Sequence, residues 1–242
     1  MNAREESARK TRRSFLVGGV AAAAGYSAYR YIDTAAPEAG RQWPLRRSLR
    51  FNESISSSVF GRERLAPEHP VSTAKMPREN GSHGLSENFD PAKWSLTLEG
   101  DPDANLLELA LSDIHSLPRV ESVTELKCIE GWSEIVHWTG ARFRDFKAKF
   151  APNAQSAYVS MMTPDEEYFV GLDIPSALHP QTLLCYAMNG EPLTAAHGAP
   201  LRLVIPVKYG IKSIKRIGTI SFTDSRPGDY WANDGYDWYA GL

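Results

Sequence analysis

Side chains from Val120 to Ile129 alternate in character so regularly that a strand is the conformation that satisfies them. Ser122, Thr124, Leu126 and Cys128 fall on one face, and Val123, Glu125, Lys127 and Ile129 on the other. Gly131 then breaks the run. The thiol of Cys128 is therefore expected at a strand end beside a glycine-bearing loop, where a thiolate can act as a soft metal ligand or a nucleophile. A small buried apolar residue is the other reading of a free cysteine, and the local sequence leaves both open.

The same piecemeal regularity runs through the middle of the chain. Trp94 to Leu98 alternates as a strand, Leu111 to Leu117 suggests a short helix ended by Pro118, and Ala157 to Met162 reads as another strand. Phe143, Phe146 and Phe150 recur at helical spacing, so Ala141 to Phe150 is expected to be an amphipathic helix whose aromatic stripe faces a core. Pro175 to Leu178 reads as a helical turn. Leu183 to Met188, a turn at Asn189 and Gly190, and a return through Leu201 to Ile205 make a hairpin-like unit. With 16 Pro and 18 Gly there are many turns and connections, which suits a mixed α+β fold better than a helical bundle. The 242 residues, 42% hydrophobic with six Trp, can bury one domain of about 200 residues plus an appendage. A net charge of −2 gives no cationic excess to neutralise phosphates, which argues against a nucleic-acid binder.

The appendage is N-terminal. Thr11-Arg12-Arg13-Ser14-Phe15-Leu16 sets an arginine pair before a mildly apolar stretch, Val17 to Ala24, and residues 1–30 resemble a twin-arginine export signal. A periplasmic destination is expected. The apolar run falls short of the roughly twenty residues of a membrane span. No clean cleavage site follows it, so retention as an uncleaved anchor stays open. Residues 31–67, polar, Ser-rich and without evident period, read as a linker or a strand-free wrapping segment, leaving 68–242 as the domain proper. Arg78 to Gly84 is a turn-rich loop that can present Asn80 and His83 to a ligand or stay an exposed turn.

Only two cysteines are present, Cys128 and Cys185. In an oxidising compartment a disulfide between them is one expectation, and a metal on Cys128 with Cys185 in the core is the other. The second chemical stretch begins at His197-Gly198-Ala199-Pro200-Leu201-Arg202 and continues through Lys208, Lys212, Lys215 and Arg216. These five cations, interleaved with Gly210 and Ser213, make either an anion site or a solvated, charged strand face.

In combination, Cys128-Ile129-Glu130-Gly131-Trp132-Ser133, Trp138-Thr139-Gly140, His197 to Arg202, and Lys208-Tyr209-Gly210-Ile211-Lys212-Ser213-Ile214-Lys215 resemble the oxidoreductase molybdopterin-binding domain of sulfite oxidases and related enzymes. The likeness is greatest to the periplasmic methionine-sulfoxide reductase branch, and it covers about Glu68 to Tyr230. It implies a sulfite-oxidase-type α+β domain built around molybdopterin with molybdenum. Cys128 would supply the one protein thiolate to the metal. Thr163, His197, Arg202, Ser213, Ile214 and Lys215 would hold the pterin, Arg202 pairing with its phosphate, and Asn80 and His83 would belong to an upstream cofactor loop.

Departures from the pattern bear on the substrate. Where sulfite oxidases carry arginines after the ligand cysteine, this chain has Glu130, Trp132 and Glu134, which disfavour a doubly charged oxyanion and favour a sulfoxide-like substrate. No haem motif and no C-terminal dimerisation domain are evident before Leu242. A monomer is therefore expected, exchanging electrons with a separate partner, plausibly a membrane cytochrome. The resemblance implies two-electron oxygen-atom transfer. Sulfite-type oxidation, a non-catalytic pterin-binding or electron-relay role, and a metal-free thiol enzyme pairing Cys128 with His137 or His197 are the rival readings. The aromatic tail Tyr236-Asp237-Trp238-Tyr239 either covers the cofactor, docks a partner or packs back.

Overall fold

The computed structural model describes residues 3–38, 40–61, 63–100 and 106–242; residues 1 and 2 of the expected leader lie outside that set. In chain order the elements are α1 (Ala3–Asp33), β1 (Pro37–Glu38), β2 (Arg41–Gln42), α2 (Trp43–Val59), β3 (Leu96–Glu99), β4 (Leu107–Leu109) and α3 (Leu111–His115). Next come β5 (Arg119–Lys127), β6 (Ser133–Arg142), α4 (Phe143–Phe150), β7 (Tyr158–Met162), β8 (Phe169–Asp173) and α5 (Ile174–Ala177). The chain finishes with β9 (Leu183–Met188), β10 (Glu191–Pro192), β11 (Arg202–Val204), β12 (Thr219–Thr223) and α6 (Tyr230–Asn233).

Two five-stranded sheets carry the architecture. One has the order β10-β9-β6-β5, with β11 also paired to β9; the other runs β4-β3-β12-β7-β8. The pairing of β5 with β6 is antiparallel from Arg119↔Ala141 to Lys127↔Ser133, and the β12–β3 pair is parallel. Alternation becomes burial directly: in β7 Val159 and Met161 face inward, and in β12 Ile220 and Phe222 do. Leu96, Leu98, Ala141, Val170, Leu172, Leu184, Leu203 and Phe222 from both sheets share one core with Phe143 and Phe146 of α4. The predicted aromatic stripe is thus core, although the helix starts two residues later than expected because Ala141 and Arg142 finish β6.

The segment expected to lack regular structure is partly helical. The 17-residue α2 starts with Pro44 in its first turn, and its one buried residue is Arg46. A periodicity search counts apolar residues and passes over a helix whose inward anchor is an arginine. Further on, the main chain of His69 and Lys75 donates to the carbonyls of Val123 and Ile135 (2.9 and 2.8 Å), so this stretch lies along the β5–β6 pair. Helix α1 is exposed, and among the described residues no helix is long and apolar enough to cross a membrane.

Candidate cofactor site

Strand β5 ends at Lys127, and Cys128 begins the loop that turns into β6, closed by main-chain bonds from Cys128 N to Trp132 O (2.9 Å) and Gly131 N to Cys128 O (3.2 Å). The thiol faces a cavity of about 270 Å³, near the lower end of small-molecule sites. Around it stand Asn80, His83, His197, Arg202, Ser213 and Lys215, so residues from four separated parts of the sequence meet at one space. Both cysteines are free, and Cys185 is fully buried beside Leu183 and Val204; the disulfide expectation does not hold.

Burial pushes the Cys128 thiol above its ordinary value, against the pull of the Glu130 main-chain N–H. The Asn80 amide also donates to its sulfur at 3.5 Å. A thiol held in this way needs a cationic partner to become a thiolate, and a metal is such a partner. Arg202 is 3% exposed, donates through Nη1 to His197 O (3.1 Å) and through Nη2 to Ser213 O (3.2 Å), and lies over the Trp138 ring. Its Nε has no partner among the described residues, and burial lowers its pKa to about 10. A buried guanidinium with an orphan donor and no carboxylate paired with it among the described residues fits an anionic group. Lys215 donates to the carbonyls of Asn80 (2.7 Å) and Gly81 (3.3 Å), which fastens the upstream loop over the site; burial and Arg202 lower its pKa to about 8. Burial, then Arg202 and Lys215, lower the His197 pKa as well, which favours a neutral ring.

Two predicted site residues stand back from the cavity. Ile214 is in the core, and Thr163 is 1% exposed, its hydroxyl bonded to Asp165 (2.7 Å) and receiving the Tyr168 N–H (3.1 Å). Thr163 instead abuts Gly84, where a Cβ would fall 2.4 Å from its methyl, so it backs the loop that carries Asn80 and His83. The cation run also divides. Lys208 and Lys212 are buried outside the lining, Lys212 paired with Asp229 at 2.5 Å and Lys208 set against the Tyr239 ring. Neither a single anion site nor a solvated strand face describes these two residues. His137 pairs with Glu121 at 3.0 Å and is absent from the lining, as is Glu134.

Sequence reasoning passed over Tyr168, Trp231, Arg78 and Ile211, which complete the wall, and left Tyr236 ambiguous. Burial pushes the Tyr168 phenol up, and its hydroxyl donates to Ile211 O at 2.6 Å. Trp231 and Tyr236 meet edge to face at 5.3 Å, and His83 stacks on Tyr230 at 5.0 Å. Tyr236 was signalled by the aromatic tail, whereas nothing beside Tyr168 marks it. Trp238 and Tyr239 of that tail pack inward with Ala232.

Comparison with known proteins agrees with this chemistry. The family described as "Oxidoreductase molybdopterin binding domain" matches residues 83–231. The chain is 35% identical over 198 residues to the putative protein-methionine-sulfoxide reductase subunit YedZ1 of Azospira oryzae, covering 79% of this chain and 74% of that one. It is 33% identical over 177 residues to the protein-methionine-sulfoxide reductase catalytic subunit MsrP of Campylobacter jejuni, covering 65% of this chain but 59% of that relative's length. The sulfane dehydrogenase SoxCD of Paracoccus pantotrophus shares the fold, with a TM-score of 0.53 and 16% identity over 57% of this chain and 40% of that one. With more than half its length matched, and with a thiol and an anion receptor lining one cavity, the chain belongs to the oxidoreductase molybdopterin-binding domain family and is a molybdopterin-dependent oxidoreductase.

Proposed function

We propose that this protein reduces a sulfoxide to a thioether in the bacterial periplasm, receiving its electrons from a separate membrane cytochrome. The observation that carries the reading is the shared cavity of Cys128, Arg202 and Lys215, whose other lining includes Trp132, Tyr168, Trp231 and Tyr236. When bound, the molybdopterin supplies two-electron oxygen-atom transfer. The balance of the reaction is one sulfoxide, two electrons and two protons giving one thioether and water, with the cytochrome as reductant.

The chain's own residues hold and shape. Cys128 would supply the sulfur ligand, oriented by Asn80 through the 3.5 Å contact. Arg202, whose buried Nε has no partner among the described residues, would hold the pterin's phosphate, with Ser213, Lys215 and the neutral ring of His197 lining the same space. Thr163 and Ile214 act from behind, one backing the Gly84 turn and the other fixing β11 through the Leu203 N to Ile214 O bond of 2.9 Å. The aromatic wall with Glu130 suits a neutral, soft sulfur group better than a doubly charged oxyanion. Substrate names carried by the relatives point the same way. The arginine pair at Arg12 and Arg13 on α1 suits twin-arginine export.

The test is metal analysis of protein purified after native export, followed by oxidation of a reduced dye against a panel of sulfoxides, N-oxides and sulfite. About one molybdenum per chain and turnover of sulfoxides are expected. Metal-free protein, or turnover of sulfite in preference to sulfoxides, would replace this assignment.

A further inference from the structure

Trp231 and Tyr236 bracket a stretch of six residues that the segment before the domain holds by its main chain. Arg46 of α2, 6% exposed, donates through Nη1 to Tyr236 O (2.9 Å) and through Nη2 to Ala232 O (2.8 Å), while Nε reaches Glu38 O at 3.3 Å. Arg41 Nε adds a bond to Gly235 O at 3.4 Å. Gly40, at φ 76°, lies so close to the same stretch that a Cβ there would fall 2.3 Å from Asn233 O and 2.7 Å from Gly235 N. Every acceptor on the tail is a carbonyl, so the grip fixes backbone and leaves the Trp231 and Tyr236 rings free to face the cavity. From the other side Asp229 anchors the start of α6, its carboxylate receiving the Ala232 N–H at 3.1 Å.

We propose that Arg46 is a positioning residue for substrate entry: by holding the carbonyls of Ala232 and Tyr236 it sets the Trp231–Tyr236 wall, and with it the discrimination between bulky and small sulfoxides. The substrate half of this statement rests on the sulfoxide reading above. The site therefore extends into a segment some 190 residues upstream of its own wall. A guanidinium presents its donors to these carbonyls in a fixed planar fork, whereas a lysine at the same place offers a point charge on a flexible stem, so Arg46→Lys keeps part of the function and Arg46→Ala none of it.

The test uses the full-length, cofactor-loaded enzyme as wild type, R46A, R46K, Y236A and R46A/Y236A. For a peptide containing methionine sulfoxide, R46A raises KM about tenfold, the effect of losing charge-assisted hydrogen bonds. Its kcat, its KM for dimethyl sulfoxide and its molybdenum content stay within about twofold. R46K falls between wild type and R46A, and the double variant is no worse than Y236A. Equal losses on both substrates, a fall in molybdenum content, additive effects in the double variant, or no change at all would overturn the proposal. A second readout is independent of turnover. Acrylamide quenching of Trp231, taken as the difference from a W231F background, increases in R46A if the arginine sets the wall, and unchanged quenching overturns it. Should the wild type reduce no sulfoxide, the functional reading falls while the quenching result still decides the positioning role.

Discussion

Arg202 and Lys215 differ from Lys208 and Lys212 in what surrounds them, although all four belong to one cationic run. Arg202 and Lys215 line the cavity, bonded to carbonyls, and Arg202 keeps an orphan Nε. Lys208 and Lys212 point into the packing under the C-terminal segment, among Asp229, Trp238, Tyr239 and Phe60. The former pair lines the cavity; of the latter, Lys212 is paired with Asp229, and Lys208, whose Nζ has no hydrogen-bond partner among the described residues, rests against the Tyr239 and Phe60 rings. A run of like charges therefore carries no single meaning until topology assigns each member a neighbourhood. Arg202 lies in β11, held against β9, while Lys208 and Lys212 belong to the following turns that meet the tail.

The widest separation between the two regions is expected from Cys128 and Lys212. Cys128→Ala should abolish turnover, while the thermal midpoint of the metal-free protein moves by less than about 4 °C, the equivalent of roughly 1 kcal/mol at this size. Dye-linked activity beside differential scanning calorimetry checks both, and residual activity above a few per cent would remove the thiolate from the mechanism. Lys212→Met should do the reverse. It strands the buried Asp229, costing about 3–5 kcal/mol in urea unfolding, while molybdenum per folded molecule is unchanged. Asp229→Asn in the same chain should return part of that loss, because the amide oxygen can still cap α6 without an unpaired charge.

How far the sequence carried the reading follows from these same residues. The strand leading to Cys128, the aromatic helix and the β9 hairpin were legible because their periods and turns are local, whereas Arg202 and Lys215 were singled out only by the resemblance to a family. Helix α2 was not legible, since its buried contact is Arg46 bonded to carbonyls about 190 residues away. Nor was the division of the cations: Lys212 becomes structural through Asp229, and no spacing rule links the two. Tyr168 enters the lining because β8 pairs with β7 and brings the preceding turn against Ile211, again a product of pairing rather than of local pattern.

Arg202→Met isolates the ligand-facing side of the contrast. The substitution removes a buried cation without a carboxylate partner, so metal-free stability should change less than in K212M. Cofactor retention should weaken roughly 10- to 100-fold, the worth of a hydrogen bond to a charged group. Molybdenum content after dialysis measures it. Retention equal to the wild type would mean that the phosphate is held elsewhere.

The last contrast is the pH response of Lys208. Burial lowers its pKa to about 7; Asp173, Asp237 and Glu53 oppose the shift and Lys212 adds to it, with the Tyr239 ring 2.8 Å from the ammonium nitrogen. In the unfolded chain a lysine titrates near 10.4. Between those values the unfolded state binds the proton and the folded state does not, so this residue makes stability rise with pH from about 7 to about 10, by at most ~1.4 kcal/mol per pH unit. Lys208→Met lacks that response. The advantage of the Met variant over wild type in urea midpoint should therefore be greatest near pH 7 and shrink by pH 9. An advantage that stays flat from pH 7 to 9 would show that the ring and the three carboxylates hold Lys208 charged, making the tail-facing pair a bound-cation arrangement and not a desolvated one.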